Sequence, residues 1–224
     1  MAEGLGRTVL HRHRYARIWG LGDRSSPAIR TPAFISTEDD GDDFRQLSAF
    51  HCQQSRTIPA RITISTHHHL IPPTFERQGP TMEASIGHVL PPSLDEANAG
   101  ESADSGVLLP VSWQRLHHDP SLLESDLNPS IVVLVDAVQL AAQSGKLVKA
   151  IQTLKHRFPG ALLWTPGLVG PDNVAVLAWF GVDLFDTSRT RFALSSGHLL
   201  TSYGPRLPLS GETCNMDVAI HHYQ

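Results

Sequence analysis

Cysteine is scarce in this chain. Its 224 residues include only two cysteines, Cys52 and Cys214, and they stand far apart. Two such residues do not make the disulfide framework of a small secreted domain, so a reducing compartment is expected. The N-terminal segment carries arginine and histidine without a following apolar stretch, which argues against a secretory signal. These features predict a cytoplasmic protein.

Long apolar runs and an excess of basic charge are also missing. No apolar run reaches the length needed to cross a membrane, so no membrane partner is expected. The formal net charge is −4, whereas a dedicated nucleic-acid-binding protein is usually basic on at least one face. The charge is unevenly spread, because an acidic run over 38–43 follows a basic N-terminal arm. The arm contains Arg7, His11, Arg12, His13, Arg14 and Arg17. Both segments could be solvated surface, or the arm could contact a phosphate backbone.

The pattern of apolar segments divides the chain into three regions. Residues 1–70 are expected to form an N-terminal arm and first strands, with a short strand over 57–65. Residues 71–128 are predicted to be an irregular or disordered insert, because Pro, Gly, Ser, Glu and Asp are frequent there and periodicity is weak. Residues 129–224 are predicted to contain a βαβαβ unit with short links, followed by a C-terminal tail.

The βαβαβ unit has clear boundaries. An apolar strand over 130–136 precedes a helix from Ala137 to Phe158, on which Lys146, Lys149 and Lys155 are expected to face solvent. A strand over 161–165, a helix beginning near Pro171 and a strand over 182–186 follow. Such alternation is typical of a parallel α/β fold.

The last of these strands ends on a carboxylate. In the segment GVDLFD, side-chain alternation predicts that Val182, Leu184 and Asp186 share one face, whereas Asp183 lies on the other and is structural. The C-terminal ends of parallel strands carry the chemistry of α/β barrels, so Asp186 is the strongest catalytic candidate. The simpler alternative is that Asp186 caps a loop or pairs with Arg189.

The segment GVDLFD, followed by Asp186-Thr187-Ser188-Arg189 and then by SSGHLLT, resembles the tRNA-guanine transglycosylase superfamily. The closer likeness is to its archaeosine-type branch, among the queuine and archaeosine tRNA-ribosyltransferases. The likeness is continuous from about 129 to 201, and short N-terminal stretches (YARI, TPAF) add to it. It implies a TIM (β/α) barrel, and because a complete barrel needs about 250 residues, a reduced or incomplete one.

The resemblance also implies a reaction. In that family the carboxylate at the position of Asp186 attacks the ribose of a guanosine and displaces the base, which a 7-deazaguanine-type base then replaces. The implied activity is that of a pentosyltransferase in the queuosine or archaeosine pathway of tRNA modification, with DNA as the substrate of a related branch. The alternative is a non-catalytic tRNA-binding relative, an accessory subunit of a complete paralogue, or an inactive truncated product. We therefore expect the chain to form an oligomer, either with copies of itself or with such a paralogue.

Three further residues are substrate-binding candidates. Arg189 and Arg191 could contact phosphates or the nucleotide beside the target, or they could lie in a solvated loop with Arg189 paired to Asp186. Asp136 could accept a hydrogen bond from a purine edge, although a helix N-cap before Ala137 is the simpler role.

The remaining elements of the family pattern are incomplete. The family often binds zinc, but no metal ligands are assigned here, because Cys214, His221 and His222 do not have the spacing of a four-ligand site. The run His67-His68-His69 is better explained as a polar strand end. No recognisable motif carries the second catalytic aspartate, for which Asp119 and Asp126 are substitutes by position alone. Without that partner, base exchange would be slow or absent.

Overall fold

The computed structural model describes residues 7–22, 25–37, 48, 50–55, 58–64, 82–86, 108–113, 129 and 131–209. This part of the chain contains two larger sheets, four helices that alternate with the last strands of the second sheet, and a C-terminal hairpin.

An antiparallel three-stranded sheet forms the N-terminal unit. Its strands are β1 (Arg7–His13), β2 (Ala16–Gly22) and β3 (Pro27–Arg30). Arg14, at the turn between β1 and β2, adopts a left-handed φ of 56°. Trp19, Leu21 and Ile29 are buried, whereas residues 11–14 are exposed. The arm predicted from sequence is thus a β-hairpin with its basic end in solvent.

An eight-stranded sheet forms the centre of the molecule, in the order β7-β6-β5-β4-β11-β10-β9-β8. Its strands are β4 (Ala33–Thr37), β5 (Phe50–Ser55), β6 (Ile58–Ile64), β7 (Met82–Ile86), β8 (Leu108–Val111), β9 (Ile131–Leu134), β10 (Leu162–Trp164) and β11 (Leu184–Asp186). Five successive pairings, from β8 to β5, are parallel, and those of β6 with β5 and β7 are antiparallel. The molecule is therefore a mixed α/β protein, as expected.

Two strands of this sheet lie in the region that was predicted to be an irregular insert. Strands β7 and β8 fall within 71–128, so the prediction is corrected for 82–86 and 108–111. Backbone pairing with β6 and β9 fixes these segments, and such long-range pairing leaves little signal in local composition. The residues around them lie outside the described ranges.

Helices accompany the parallel strands. They are α1 (Ala137–Ala141), α2 (Lys146–Arg157), α3 (Val174–Phe180) and α4 (Ser188–Ser195). The single helix predicted from Ala137 to Phe158 is wrong, because Gly145 adopts a left-handed φ of 73° and separates α1 from α2. Helix α3 ends as predicted at Gly181, whose φ is 97°. Strands β12 (Leu199–Thr201) and β13 (Gly204–Arg206) then form a hairpin.

The middle strands of the central sheet, β9, β10 and β11, are buried on both faces. One face packs on the helices in a core that includes Val132, Leu134, Leu163 and Phe185. The other face carries Ile131, Val133, Leu162, Trp164, Leu184, Ile35 and Phe50, which are fully buried. Burial on both sides explains the continuous apolar runs of β9 and β10.

The outer strands of the sheet approach each other. Strands β7 and β8 are in contact although they are not hydrogen-bonded partners. The expected α/β class is therefore present, with a parallel sheet flanked by helices, while the hydrogen-bonded sheet is open between these two strands. Within the described ranges, no helix is long and apolar enough to span a membrane.

Candidate functional site

The candidate carboxylates lie at the C-terminal edge of the parallel strands. Asp186 is the last residue of β11, and Asp136 follows β9 by two residues. Strand β10 runs between β11 and β9, so the strands that carry the two carboxylates lie two strand spacings apart, about 10 Å. They share no hydrogen-bond partner among the described contacts.

Asp186 is buried and surrounded by nitrogen donors. Its side chain lies on the face of the sheet opposite the helices, with only 1% of its surface exposed. Oδ2 accepts from Trp164 Nε1 at 2.9 Å and from Gly167 N at 3.0 Å. Oδ1 accepts from Ser188 N at 2.9 Å and more weakly from Gly167 N at 3.2 Å. Each oxygen is thus held by two contacts.

This arrangement joins three parts of the backbone. Trp164 ends β10, Gly167 lies in the loop after it, and Ser188 begins α4. The carboxylate fixes the loop and the helix start to the end of β11, which agrees with the loop-capping alternative. The predicted face of Asp186 and Leu184 is present, but Val182 packs in the helix-side core because regular strand structure begins only at Leu184.

Arg189 binds a different carboxylate from the one considered in the sequence. Its guanidinium pairs with both oxygens of Asp172, at 2.8 and 2.9 Å, and no described contact joins it to Asp186. The proposed Arg189–Asp186 ion pair is therefore wrong. The Arg189–Asp172 pair lies directly on Gly170, where an added Cβ would be 2.5 Å from Arg189 Nη1. Arg191 donates to Ser188 Oγ at 3.3 Å, within its own helix.

Asp136 connects the ends of β8 and β9. Its oxygens accept from Trp113 N at 3.0 Å and from Ser112 Oγ at 3.2 Å. Asp136 occupies the N-cap position of α1, but its side chain makes no cap hydrogen bond. The predicted side-chain N-cap is therefore wrong, because the carboxylate turns instead towards the neighbouring strand.

A buried ionic cluster lies at the opposite edge of the sheet. Asp183 is 1% exposed, and its Oδ2 accepts from Lys155 Nζ at 2.5 Å and from Leu163 N at 2.8 Å. Arg17 pairs with the same carboxylate at 3.4 Å and donates to the carbonyls of Pro159 and Ala161. The structural role predicted for Asp183 is confirmed.

Lys155 was predicted to face solvent and is buried instead. Burial lowers the pKa of Lys155 to about 8, Arg17 adds to the lowering, and Asp183 opposes it. Sequence periodicity missed this cluster because its members come from β2, α2 and the approach to β11. A signal was present in the sequence only for Asp183, because a carboxylate between the apolar residues Val182 and Leu184 indicates that its side chain has a polar partner.

Metal binding has no support within the described ranges. No group of three His, Cys, Asp or Glu side chains there could hold a metal ion. The other residues considered for a metal or for acid–base catalysis lie outside those ranges. They are His67, His68, His69, Asp119, Asp126, Cys214, His221 and His222.

Comparison with models of known protein families gives no match, and no curated protein matches the chain. The likeness of the GVDLFD segment to the transglycosylases accordingly stays a prediction from that segment.

Proposed function

We propose that this chain is a non-catalytic relative of the tRNA-guanine transglycosylases that binds tRNA in the cytoplasm. One observation carries the proposal: the carboxylate at the family's nucleophile position, Asp186, is buried and bonded at both oxygens. Asp186 lies at the end of a parallel strand, but both of its oxygens accept hydrogen bonds from within the protein, from Trp164, Gly167 and Ser188.

The order of the strands supports the ancestry. From β4 to β11 the strands follow one another around the sheet in chain order, and β11 pairs in parallel with β4. A (β/α) barrel has the same sequential order, with its last strand beside its first. The approach of β7 to β8 occurs where such a ring would close. We therefore infer a reduced barrel in which one strand, β6, runs antiparallel to the others.

The hydrogen bonds of Asp186 argue against turnover. A nucleophilic carboxylate needs a lone pair that can reach the ribose carbon within about 3–3.5 Å. Here Trp164 and Gly167 occupy Oδ2, and Ser188 and Gly167 occupy Oδ1. Attack would require the loop after β10 or the start of α4 to move, with loss of hydrogen bonds to a buried charge.

Catalysis by Asp186 is the second candidate, and its position at the C-terminal end of β11 favours it. In that reaction an oxygen of Asp186 bonds to C1′ of the ribose as the C1′–N9 bond breaks. Guanine leaves with the electron pair and takes a proton from a general acid. A 7-deazaguanine-type base then loses a proton and displaces the carboxylate, which restores Asp186.

A paired assay distinguishes the two candidates. Purified chain is mixed with tRNA and radiolabelled guanine, and both tRNA binding and label incorporation are measured. The proposal predicts saturable tRNA binding without incorporation, and equal binding by Asp186→Asn if that variant folds. Incorporation that is lost in Asp186→Asn and retained in Asp172→Asn would establish the enzyme. Absence of tRNA binding would overturn the proposal.

An accessory role has a separate test. If the chain assists a complete transglycosylase, adding it to such an enzyme should raise the rate of guanine exchange or its affinity for tRNA. The matched control is the same enzyme with heat-unfolded chain. No effect at equimolar amounts would leave tRNA binding by this chain alone as the proposed function.

A further inference from the structure

A groove of about 410 Å³ lies between the N-terminal hairpin and helix α3. Its volume falls in the range of ordinary ligand pockets. The groove is lined by His11, Arg12, His13, Ala16, Arg17, Ile18, Pro32, Ala175, Ala178 and Trp179. Cations and imidazoles of the hairpin therefore stand on one side, and an aromatic ring and small apolar groups stand on the other.

The arginines at the hairpin tip, Arg12 and Arg14, pair with no carboxylate among the residues that the structure describes. Arg12 donates through Nε to the backbone oxygen of Arg14 at 3.2 Å, which leaves its terminal nitrogens for other partners. The guanidinium of Arg14 lies 5.9 Å from the ring centroid of Trp179. Neither arginine forms an ion pair in the described part of the chain. Both are exposed.

Arg17 has a different role. It is held by Asp183, by two backbone carbonyls and over the ring of Trp19, at 4.6 Å. These contacts anchor the hairpin to the edge of the sheet where β10 and β11 begin. The groove wall is thus fixed, with Arg12 in its lining and Arg14 next to Trp179.

Trp179 differs from the other tryptophans of the chain. Trp19, Trp113 and Trp164 are at least 92% buried, whereas Trp179 is 44% exposed. Its neighbour on the outer surface of α3, Val176, is 54% exposed. An exposed indole beside two guanidinium groups that form no ion pair with a described residue provides both a stacking surface and phosphate donors, which together are typical of single-stranded nucleic-acid sites.

We propose that this groove binds single-stranded RNA, with a base stacked on Trp179 and adjacent phosphates on Arg12 and Arg14. The inference rests on the proposed function, since it locates the contact surface for the RNA. It places that surface at the edge of the sheet where β10 and β11 begin, opposite Asp186. The single-stranded part of a tRNA, such as a loop or its 3′ end, has the required chemistry.

Charge complementarity favours RNA as the occupant. The chain has a net charge of −4, so non-specific attraction of a polyanion by the whole molecule is weak. The hairpin concentrates positive charge locally, where it can replace counterions along a phosphate chain. An acidic peptide could pair with the arginines, but its carboxylates would not stack on the exposed indole face as a nucleobase would.

Fluorescence gives a direct readout. A short fluorescein-labelled single-stranded RNA is titrated against the protein, and anisotropy gives the affinity. Unlabelled RNA is titrated in parallel, and quenching of tryptophan emission is recorded. Because Trp179 is the exposed indole, its stacking should quench emission at the same RNA concentrations that raise the anisotropy.

Variants separate charge from stacking. Arg12→Gln with Arg14→Gln should weaken binding at least about tenfold. It should also make the slope of log affinity against log salt shallower by about 1.4, at about 0.7 per phosphate contact. The matched control is Lys146→Gln with Lys149→Gln, which changes net charge equally on exposed positions of α2. The control should change affinity less than about twofold.

Trp179 is tested by two substitutions. Trp179→Leu should lower affinity about tenfold, in the range measured for base stacking on aromatic residues. Trp179→Phe keeps an aromatic ring, so affinity should be largely retained while the quenching signal is lost. Far-UV circular dichroism and thermal melting verify that each variant folds.

The outcomes are distinct. RNA binding that is equally strong in the arginine variant and its lysine control would overturn the groove while leaving the proposed function intact. A chain that binds tRNA but not the short single-stranded RNA would overturn the groove alone, whereas a chain that binds neither would overturn both. Equal displacement of RNA by polyglutamate and by unlabelled RNA would overturn RNA as the class of ligand.

Discussion

Trp164 donates its indole N–H to Asp186 at 2.9 Å, across two neighbouring parallel strands and with both side chains 1% exposed. A tryptophan and a carboxylate buried in this way form a structural contact whose loss is costly. The same carboxylate holds Gly167 N and Ser188 N, so it supports the end of β10 and the start of α4 together.

Asp186→Asn should therefore destabilise the protein. The amide nitrogen of asparagine would face N–H groups that now donate to a carboxylate, and we expect a loss of about 2–4 kcal/mol in the free energy of unfolding. Urea denaturation measures the change. The control is Asp172→Asn, which affects a partly exposed ion pair and should cost at most about 1 kcal/mol.

The sign of this change bears on function. Replacing a catalytic residue often makes a protein more stable, since activity and stability compete at such sites. An increase in the unfolding free energy of Asp186→Asn would contradict a structural role and would favour the catalytic candidate.

Because Lys155 is buried, the free energy of unfolding should depend on pH in the alkaline range. Its pKa is about 8 in the folded protein, where burial disfavours the charged form, and 10.5 when unfolded. Between these values the unfolded chain binds more protons, so the contribution of Lys155 to stability rises with pH from about 8 to 10.5. Below pH 8 the lysine is protonated in both states, and its contribution no longer changes.

The measurement is the difference in unfolding free energy between the native sequence and Lys155→Met over this pH range. As the pH rises, the unfolding free energy of the native sequence should increase relative to that of Lys155→Met, with a slope that approaches about 1.4 kcal/mol per pH unit. Lys149→Met is the control, since Lys149 is exposed on the same helix. A flat difference for Lys155→Met would show that its charge state is the same in both forms.

Gly181 is required at the contact between α3 and the hairpin. Its φ is 97°, and an added Cβ would lie 2.7 Å from the backbone oxygen of Tyr15. Gly145 has a similar φ of 73° but open space around the Cβ position. Gly145→Ala should therefore cost about 1–2 kcal/mol from the left-handed conformation alone.

Gly181→Ala adds a clash to that conformational cost, and we expect it to lose at least about 2 kcal/mol more than Gly145→Ala in thermal or urea unfolding. The clash falls on the backbone, which cannot move without displacing the Arg14–Trp179 contact. Equal losses in the two variants would show that the hairpin moves away freely.

The alternating elements of 129–186 could be predicted from the sequence because their signals are local. Apolar runs marked β9 and β10, and Gly181 marked the end of α3. The pairing of β4 with β11 and the strands inside 71–128 could not be predicted, since backbone partners distant in sequence determine them. Only the alternation of strands and helices and the family resemblance pointed to a sheet whose strands follow the order of the chain.

The position of the candidate site could be predicted from the sequence, but the hydrogen bonds of its carboxylate could not. The strand parity placed Asp186 at a strand end, but its donors Trp164 and Gly167 lie about twenty residues earlier in the chain. Lys155 was misplaced for the same reason, because Asp183, its partner, is 28 residues away. Side-chain environment is set by such long-range contacts, which helical periodicity does not contain.

Thr165 provides a prediction of opposite sign. Its side chain is fully buried directly after β10, and its Oγ1 has no hydrogen-bond partner in the described structure. A buried hydroxyl without a partner carries a desolvation cost that an isosteric methyl group avoids. Thr165→Val should therefore raise the unfolding free energy by about 1 kcal/mol. Thr31→Val is the matched control, because the buried Thr31 Oγ1 accepts from Trp19 N at 3.2 Å and its removal should lower stability by about 1–2 kcal/mol. Urea unfolding of both variants tests the pair, and destabilisation by Thr165→Val would reveal a hydrogen bond at that hydroxyl in solution.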